Sequence, residues 1–190
     1  DGGVWIAHED GVSHWQPPVV RHYSVQAGAF PSRGLSVLRD RDGALWAGAE
    51  RVLTRLDGSR FETVAVPESF ALTEAAVLYQ DRAGTLWIGD SSPRSPGLIR
   101  RDAQGFHLLS RREGLPHASI NTIMEQGSNS DLWVGTGFAG SGGAVAISNG
   151  SLRAIGRQHG LAGDKVRTIF EDSRGRLWFG SEFDGVADFG

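Results

Sequence analysis

Short apolar runs separated by polar, glycine-bearing turns recur along the whole chain, and one run is repeated closely enough to act as a ruler. Tryptophan stands between two apolar residues at Trp5, Trp46, Trp87, Trp133 and Trp178, in the strings VWIA, LWAG, LWIG, LWVG and LWFG. Successive spacings are 41, 41, 46 and 45 residues. A period of this length marks a repeat architecture in which each unit is one supersecondary element.

The unit around Trp178 shows the grammar. Val166 to Glu171 (VRTIFE) is rich in β-branched and aromatic residues and predicts a strand. Asp172-Ser-Arg-Gly175 predicts a turn, with Asp accepting a backbone N–H and Gly supplying positive φ. Arg176 to Gly180 returns as a second strand, and Gly185 to Phe189 forms a third. Asp40 and Asp81 open the same turn, six residues before Trp46 and Trp87. Before Trp133, Gln126 replaces the Asp and the segment Gly127 to Asp131 is one residue longer. A fourth strand is also periodic, starting at Val20, Phe61, Phe106 and Leu152.

Four short antiparallel strands per ~40–45 residues predict an all-β fold, a β-propeller or an open arc of one. The expected units are a partial blade 1–34, blades 35–74, 75–118 and 119–163, and a partial blade 164–190. That amounts to four to five blades with roughly 3, 4, 4, 4 and 3 strands, read as a fragment of a larger propeller. Blades stack face to face, so strands such as LWIG are apolar throughout instead of alternating. The five tryptophans and the turn residues Asp40, Asp81 and Asp172 are therefore read as structural, with each Trp filling an inter-blade core. The glycine after each Trp lets the neighbouring blade approach.

Composition narrows the picture further. The 190 residues are 39% hydrophobic and 22% charged, an ordinary globular balance. A net charge of -3 gives no basic footprint for nucleic acid. Cysteine is absent, which removes disulfides and thiolate chemistry. No stretch reaches the ~18 apolar residues of a membrane helix, so membrane association is expected only through flanking segments. The chain starts at Asp1 and not at methionine, so it is read as processed or cut from something longer.

The string D-x-x-G-x-L-W-x-G at Asp81 to Gly89, followed by Gly97-Leu98, Phe106 and Gly114-Leu115-Pro116, resembles the two-component regulator propeller repeat. Asp172 to Gly180 with Gly185-Val186 matches again. Ala7 for the strand-ending Gly, Gln126 for the turn Asp and Ala162 for the Pro of G-L-P depart from the pattern. The resemblance implies a periplasmic input domain of a bacterial membrane-spanning sensor. It implies an output elsewhere in the full-length protein, a histidine kinase or a diguanylate cyclase.

Ligand-binding candidates come from spacing. The D-x-x-G turns should share one face, and the second-to-third-strand loops and blade-to-blade connections the other. On that second face, the segment from Asp90 to Pro96 and the segment TGFAGSG after Gly135 read as enlarged loops in neighbouring blades. Insertions of this kind often mark the binding side. The candidates are Arg94, Arg111, Arg112, His117, Phe138, His159, Lys165 and Glu182. Arg beside aromatics suits recognition of a carboxylate or a sugar ring. No sequence feature identifies the ligand; a small molecule or carbohydrate is what the family resemblance implies. Self-association, or contact with the remaining blades, is the other expected partner.

Other chemistry finds little support. D-R-D-G lacks the oxygen-ligand run of an EF-hand loop. The six histidines form no zinc pattern. No catalytic residue, metal or cofactor is expected, and the region is read as a non-catalytic sensor. A glycan-processing propeller, hydrolase or lyase, is the enzyme alternative. A protein-interaction scaffold is the third reading.

Overall fold

The computed structural model describes residues 3–127 and 129–189. Asp1, Gly2, Ser128 and Gly190, which belong to the expected terminal blades and the fourth turn, lie outside the described residues.

Eighteen strands, counted among the described residues, form five antiparallel sheets in chain order. Sheet 1 holds β1 (Val4–His8), β2 (Gly11–Gln16) and β3 (Val19–Ser24). Sheet 2 holds β4 (Gly34–Arg39), β5 (Leu45–Ala49), β6 (Val52–Asp57) and β7 (Arg60–Val64). Sheet 3 holds β8 (Ala75–Gln80), β9 (Leu86–Asp90), β10 (Leu98–Asp102) and β11 (Gly105–Leu109). Sheet 4 holds β12 (Ile120–Glu125), β13 (Leu132–Phe138), β14 (Ser141–Ser148) and β15 (Ser151–Ile155). Sheet 5 holds β16 (Val166–Glu171), β17 (Leu177–Ser181) and β18 (Val186–Phe189). Each sheet packs on the next through that sheet's first strand, and the helices among the described residues are three-residue 3₁₀ turns in the connections. This is the blade arrangement of a β-propeller.

Four apolar clusters fill the junctions. Trp46, Trp87 and Trp133 each sit with residues of the following sheet and are 5%, 6% and 1% exposed. Burying roughly 200 Å² at about 25 cal/mol per Å² contributes on the order of 5 kcal/mol of transfer energy per tryptophan. Phe30, Leu72, Leu115 and Leu161 from the connections plug the same junctions.

The turn residue does more than cap its turn. Asp40 Oδ1 accepts from Ala44 N at 2.8 Å, while Oδ2 accepts from Trp46 Nε1 at 2.8 Å. Asp81 repeats both bonds with Thr85 N and Trp87 Nε1. Asp172 repeats them with Arg176 N and Trp178 Nε1. Among these three, Asp172 also accepts from the backbone N–H two residues on, Arg174 N, at 2.9 Å. In the longer fourth turn Gln126, one methylene longer than Asp, still reaches Trp133 Nε1 at 3.1 Å.

A belt on the turn face ties successive sheets together. The backbone N–H that follows Asp40, Asp81 and Gln126 donates to the last side chain of the next sheet's first strand. The pairs are Arg41 N to Gln80 Oε1 (2.9 Å), Arg82 N to Glu125 Oε2 (2.8 Å) and Gly127 N to Glu171 Oε2 (2.6 Å). The Arg41 guanidinium donates to the carbonyls of Asp81 and Arg82, and that of Arg82 to Gly127 O and Ser130 Oγ.

The glycine after each tryptophan marks a close approach. A Cβ on Gly89 would lie 2.6 Å from Ile120 Cγ2, and one on Gly135 would lie 2.8 Å from Val166 Cγ1. At the first junction, where Ala7 stands in that position, the glycine has moved to the facing strand as Gly34.

Candidate functional site

The turns between first and second strands lie on one face, and the blade-to-blade connections lie on the other. On this loop face, TGFAGSG is not a loop. Strands β13 and β14 run on to Phe138 and Ser141, so the segment is an antiparallel ribbon. Its turn residues Ala139 and Gly140 have φ of 48° and 84°, as a type I′ hairpin requires. The glycines serve close packing: a Cβ on Gly142 would lie 2.6 Å from Asp164 O, and one on Gly137 2.9 Å from Lys165 Cα. The ribbon therefore leans against the connection into sheet 5. The segment from Ser91 to Gly97, by contrast, is a loop between β9 and β10.

The ribbon brings three of the eight candidates together. Lys165 Nζ lies 5.6 Å from the Phe138 ring centroid and is ion-paired with Glu182. The Lys165 side chain is 13% exposed, so its charge is held by a carboxylate and an aromatic face in a semi-buried site. Phe138 remains 40% exposed at the tip. Glu182 N donates to Lys165 O at 3.2 Å, which fixes the loop after β17 against the connection.

Sequence reasoning missed the supports of this group. Arg167 Nε approaches Glu182 Oε2 at 3.6 Å from the irregular position between Val166 and Thr168, where β16 slips against β17. Asn121, at the matching slip in β12, donates to Gly137 O and Val166 O, both at 3.0 Å. Arg157 donates to Asp184 Oδ2 at 2.7 Å and pairs with Asp164 at 3.3 Å. The slipped positions of the four first strands are Leu35, Ala76, Asn121 and Arg167, so no residue type marks the slip in the sequence.

The other five candidates lie apart from this group. Arg94, Arg111 and Arg112 are exposed, and none has an ion pair among the described residues. Arg111 and Arg112 sit in a 3₁₀ turn closed by Ser110 and Glu113. The Ser110 hydroxyl and N–H, both donating to the Glu113 carboxylate, hold that carboxyl below its usual range. His117 Nδ1 accepts from Ser119 N at 3.0 Å. Burial, helped by Arg111, pushes His117 below the ordinary imidazole value. His159 Nδ1 accepts from Gly156 N at 3.1 Å and so braces its own turn.

A second polar network lies between sheets 2 and 3. The Asp90 carboxylate is fully buried and accepts from Thr73 N, Thr73 Oγ1, Glu74 N and Ser92 N. Four donors satisfy it in place, so it anchors the connection before β8. Among the described residues no group of three or more His, Cys, Asp or Glu gathers as a metal site. No helix among them is long and apolar enough to cross a membrane.

The fold is thus that of a β-propeller arc, and its repeat resembles that of the two-component regulator propellers. Residues 160–183 match the model of the family described as "Two component regulator propeller", over the connection and the first two strands of sheet 5. Among solved structures, the chain is similar to the extracellular domain assigned to a hybrid two component system, BT3049, of B. thetaiotaomicron. That likeness has 22% identity and a TM-score of 0.77, over 98% of this chain and 25% of that one. The extracellular domain assigned to a one component system, BT4673, of the same organism has 20% identity and a TM-score of 0.79, over the same shares. The chain therefore spans about a quarter of the length of these domains. The gluconolactonase XC5397 of Xanthomonas campestris has 18% identity and a TM-score of 0.61, over 94% of this chain and 64% of that one. No curated protein matches the chain.

Proposed function

We propose that this chain is a sensing region of a bacterial two-component-type signalling protein: a non-catalytic propeller outside the cytoplasm that binds a ligand or partner on its loop face. The observation that carries the reading is the Phe138–Lys165–Glu182 group, where an exposed ring and a paired cation span two neighbouring sheets. The repeat match and the likeness to extracellular domains of signalling systems support it. A ligand with a carboxylate or a polar ring would stack on Phe138 and compete with Glu182 for Lys165. Such a ligand joins the ribbon of sheet 4 to the loop of sheet 5. It signals only if it prefers one arrangement of the two sheets over another.

Thermal-shift measurements across oligosaccharides and organic acids test the reading. A rise in melting temperature lost in Phe138→Ala is expected. The likeness to gluconolactonases favours a second, enzymatic reading. Turnover of a sugar lactone or a polysaccharide by the purified chain would establish that one instead.

A further inference from the structure

One ion pair recurs at equivalent positions of two sheets, and one of the two copies is enclosed. Arg33 and Lys165 each stand just before a first strand, β4 and β16. Glu50 and Glu182 stand just after the second strand of the same sheet. Arg33 Nη2 lies 3.0 Å from Glu50 Oε1, and the two side chains are 44% and 49% exposed. In sheet 3 the same positions hold Glu74 and Ser91, joined by a hydrogen bond of 3.3 Å. The Lys165 and Glu182 side chains, by contrast, are 13% and 32% exposed. The preceding sheet makes the difference. Sheet 1 turns tightly at Glu9 and Asp10, whereas the ribbon of sheet 4 sets the Phe138 ring 5.6 Å from Lys165 Nζ. This junction lies inside the arc, so Lys165 is enclosed by sheets 4 and 5 together.

Glu182 is held by two cations at once. Lys165 Nζ pairs with its Oε2, and Arg167 Nε approaches the same oxygen at 3.6 Å. A neutral molecule that displaced Glu182 would strand the semi-buried Lys165 ammonium, and removing one partner of an enclosed ion pair is strongly destabilising. An anion that takes the place of the carboxylate avoids that cost and keeps a charge-assisted bond. Dimensions define the rest of the molecule. Charge-assisted N–H···O bonds of about 2.7–2.9 Å put the incoming carboxylate beside Nζ. Aromatic and apolar rings sit about 4.5–7 Å apart, centroid to centroid. With Nζ 5.6 Å from the Phe138 centroid, both contacts suit a carboxylate attached directly to a ring or one carbon away from it.

We propose, building on the loop-face binding reading above, that this site takes a ring-borne carboxylate and that Glu182 is its internal competitor. The ligand carboxylate replaces Glu182 on Lys165 and Arg167, and the ligand ring lies on Phe138. The loop after β17 then loses its side-chain tie to the connection into sheet 5, which couples occupancy to the position of that loop. Neutral molecules of the same shape are rejected, because they leave Glu182 where it is.

Lys165 is the single lysine of the chain, so methylation of amines with formaldehyde and borohydride marks it and the α-amino group alone. Peptide mass spectrometry reads the two separately. The probes are benzoate and benzyl alcohol, which share a ring and differ in charge. Benzoate is expected to slow methylation of Lys165 several-fold relative to the α-amino group, and benzyl alcohol to leave it unchanged. In Glu182→Gln the site is no longer self-occupied, so half-protection is expected at a benzoate concentration about tenfold lower or less. In Arg167→Gln it is expected at a higher one. Circular dichroism checks that both variants fold. Equal protection by the two probes, or a Glu182→Gln variant that needs more benzoate, overturns the carboxylate assignment and leaves loop-face binding standing. Absence of protection by benzoate overturns the assignment too, and the binding reading falls with it only if no thermal-shift ligand depends on Phe138.

Discussion

The indole N–H of Trp87 donates to Asp81 Oδ2 at 2.8 Å, across a turn whose own closure uses the other oxygen of the same carboxylate. One side chain therefore sets both the hairpin and the orientation of the ring that fills the next junction. Removing it in Asp81→Ala leaves the nearly buried indole N–H and a turn N–H without their charged acceptor. Hydrogen bonds to charged groups contribute about 1.5–3 kcal/mol each, so with two such bonds gone a loss of about 3 kcal/mol or more is expected from urea unfolding.

Gln126→Asp should fail as a repair toward the common repeat. The fourth turn is longer, and only the extra methylene of Gln lets it reach Trp133 Nε1 at 3.1 Å. With Trp133 1% exposed, the shortened side chain leaves a buried donor unpaired. A destabilisation of about 1–3 kcal/mol is expected, measured in the same way.

Gly89→Ala should destabilise through overpacking, by about 1–3 kcal/mol, because its new methyl would meet Ile120 Cγ2 at 2.6 Å. Ile120→Ala removes that methyl. In a double-mutant cycle the two changes should couple favourably, by about 0.5 kcal/mol or more. Simple additivity would show that the close approach is not what excludes a side chain at position 89.

The Asp172 carboxyl is held down to about 2, first by the hydrogen bond from Trp178 and then by the N–H groups of Arg176 and Arg174 and the Arg176 side chain. Its pKa is lower folded than unfolded, so its contribution is complete above the unfolded value near 3.8 and is lost as pH falls towards 2. Acid unfolding followed by fluorescence should therefore shift in Asp172→Asn, whose stability varies less between pH 4 and 2.

His117 gives a second, separate window. Burial favours its neutral form in the folded chain, so folding is supported above the unfolded value of 6.5 and weakened as pH falls below it. In His117→Gln the melting temperature should lose the part of its pH dependence that lies below 6.5.

Much of this was legible in the sequence because every junction solves the same packing problem. Trp46, Trp87 and Trp133 recur in register, and the strand pattern read from them matches sheets of three, four, four, four and three strands among the described residues. The reason for the six-residue step from Asp81 to Trp87 was not legible. A turn-capping aspartate explains itself locally, and the contact to the indole exists only once the hairpin has folded. TGFAGSG reads as a loop because glycine marks turns in a sequence, whereas Gly137 and Gly142 admit the backbone of Asp164 and Lys165. Phe138, Lys165 and Glu182 were visible as loop residues, but their meeting depends on that ribbon. Arg167 and Asn121 were invisible because a register slip in a strand leaves no residue signature.

The sensing role rests on a ligand held at the loop face by Phe138 and Lys165. Its most direct measurement is calorimetric titration of the purified chain and its Phe138→Ala, Lys165→Ala and Arg94→Ala variants with whichever oligosaccharide or organic acid raises the melting temperature. Binding without turnover is expected, weakened at least tenfold, a loss of about 1.4 kcal/mol or more, in Phe138→Ala and Lys165→Ala and unchanged in Arg94→Ala. Equal affinity in all four proteins, or chemical conversion of the titrant, would contradict it.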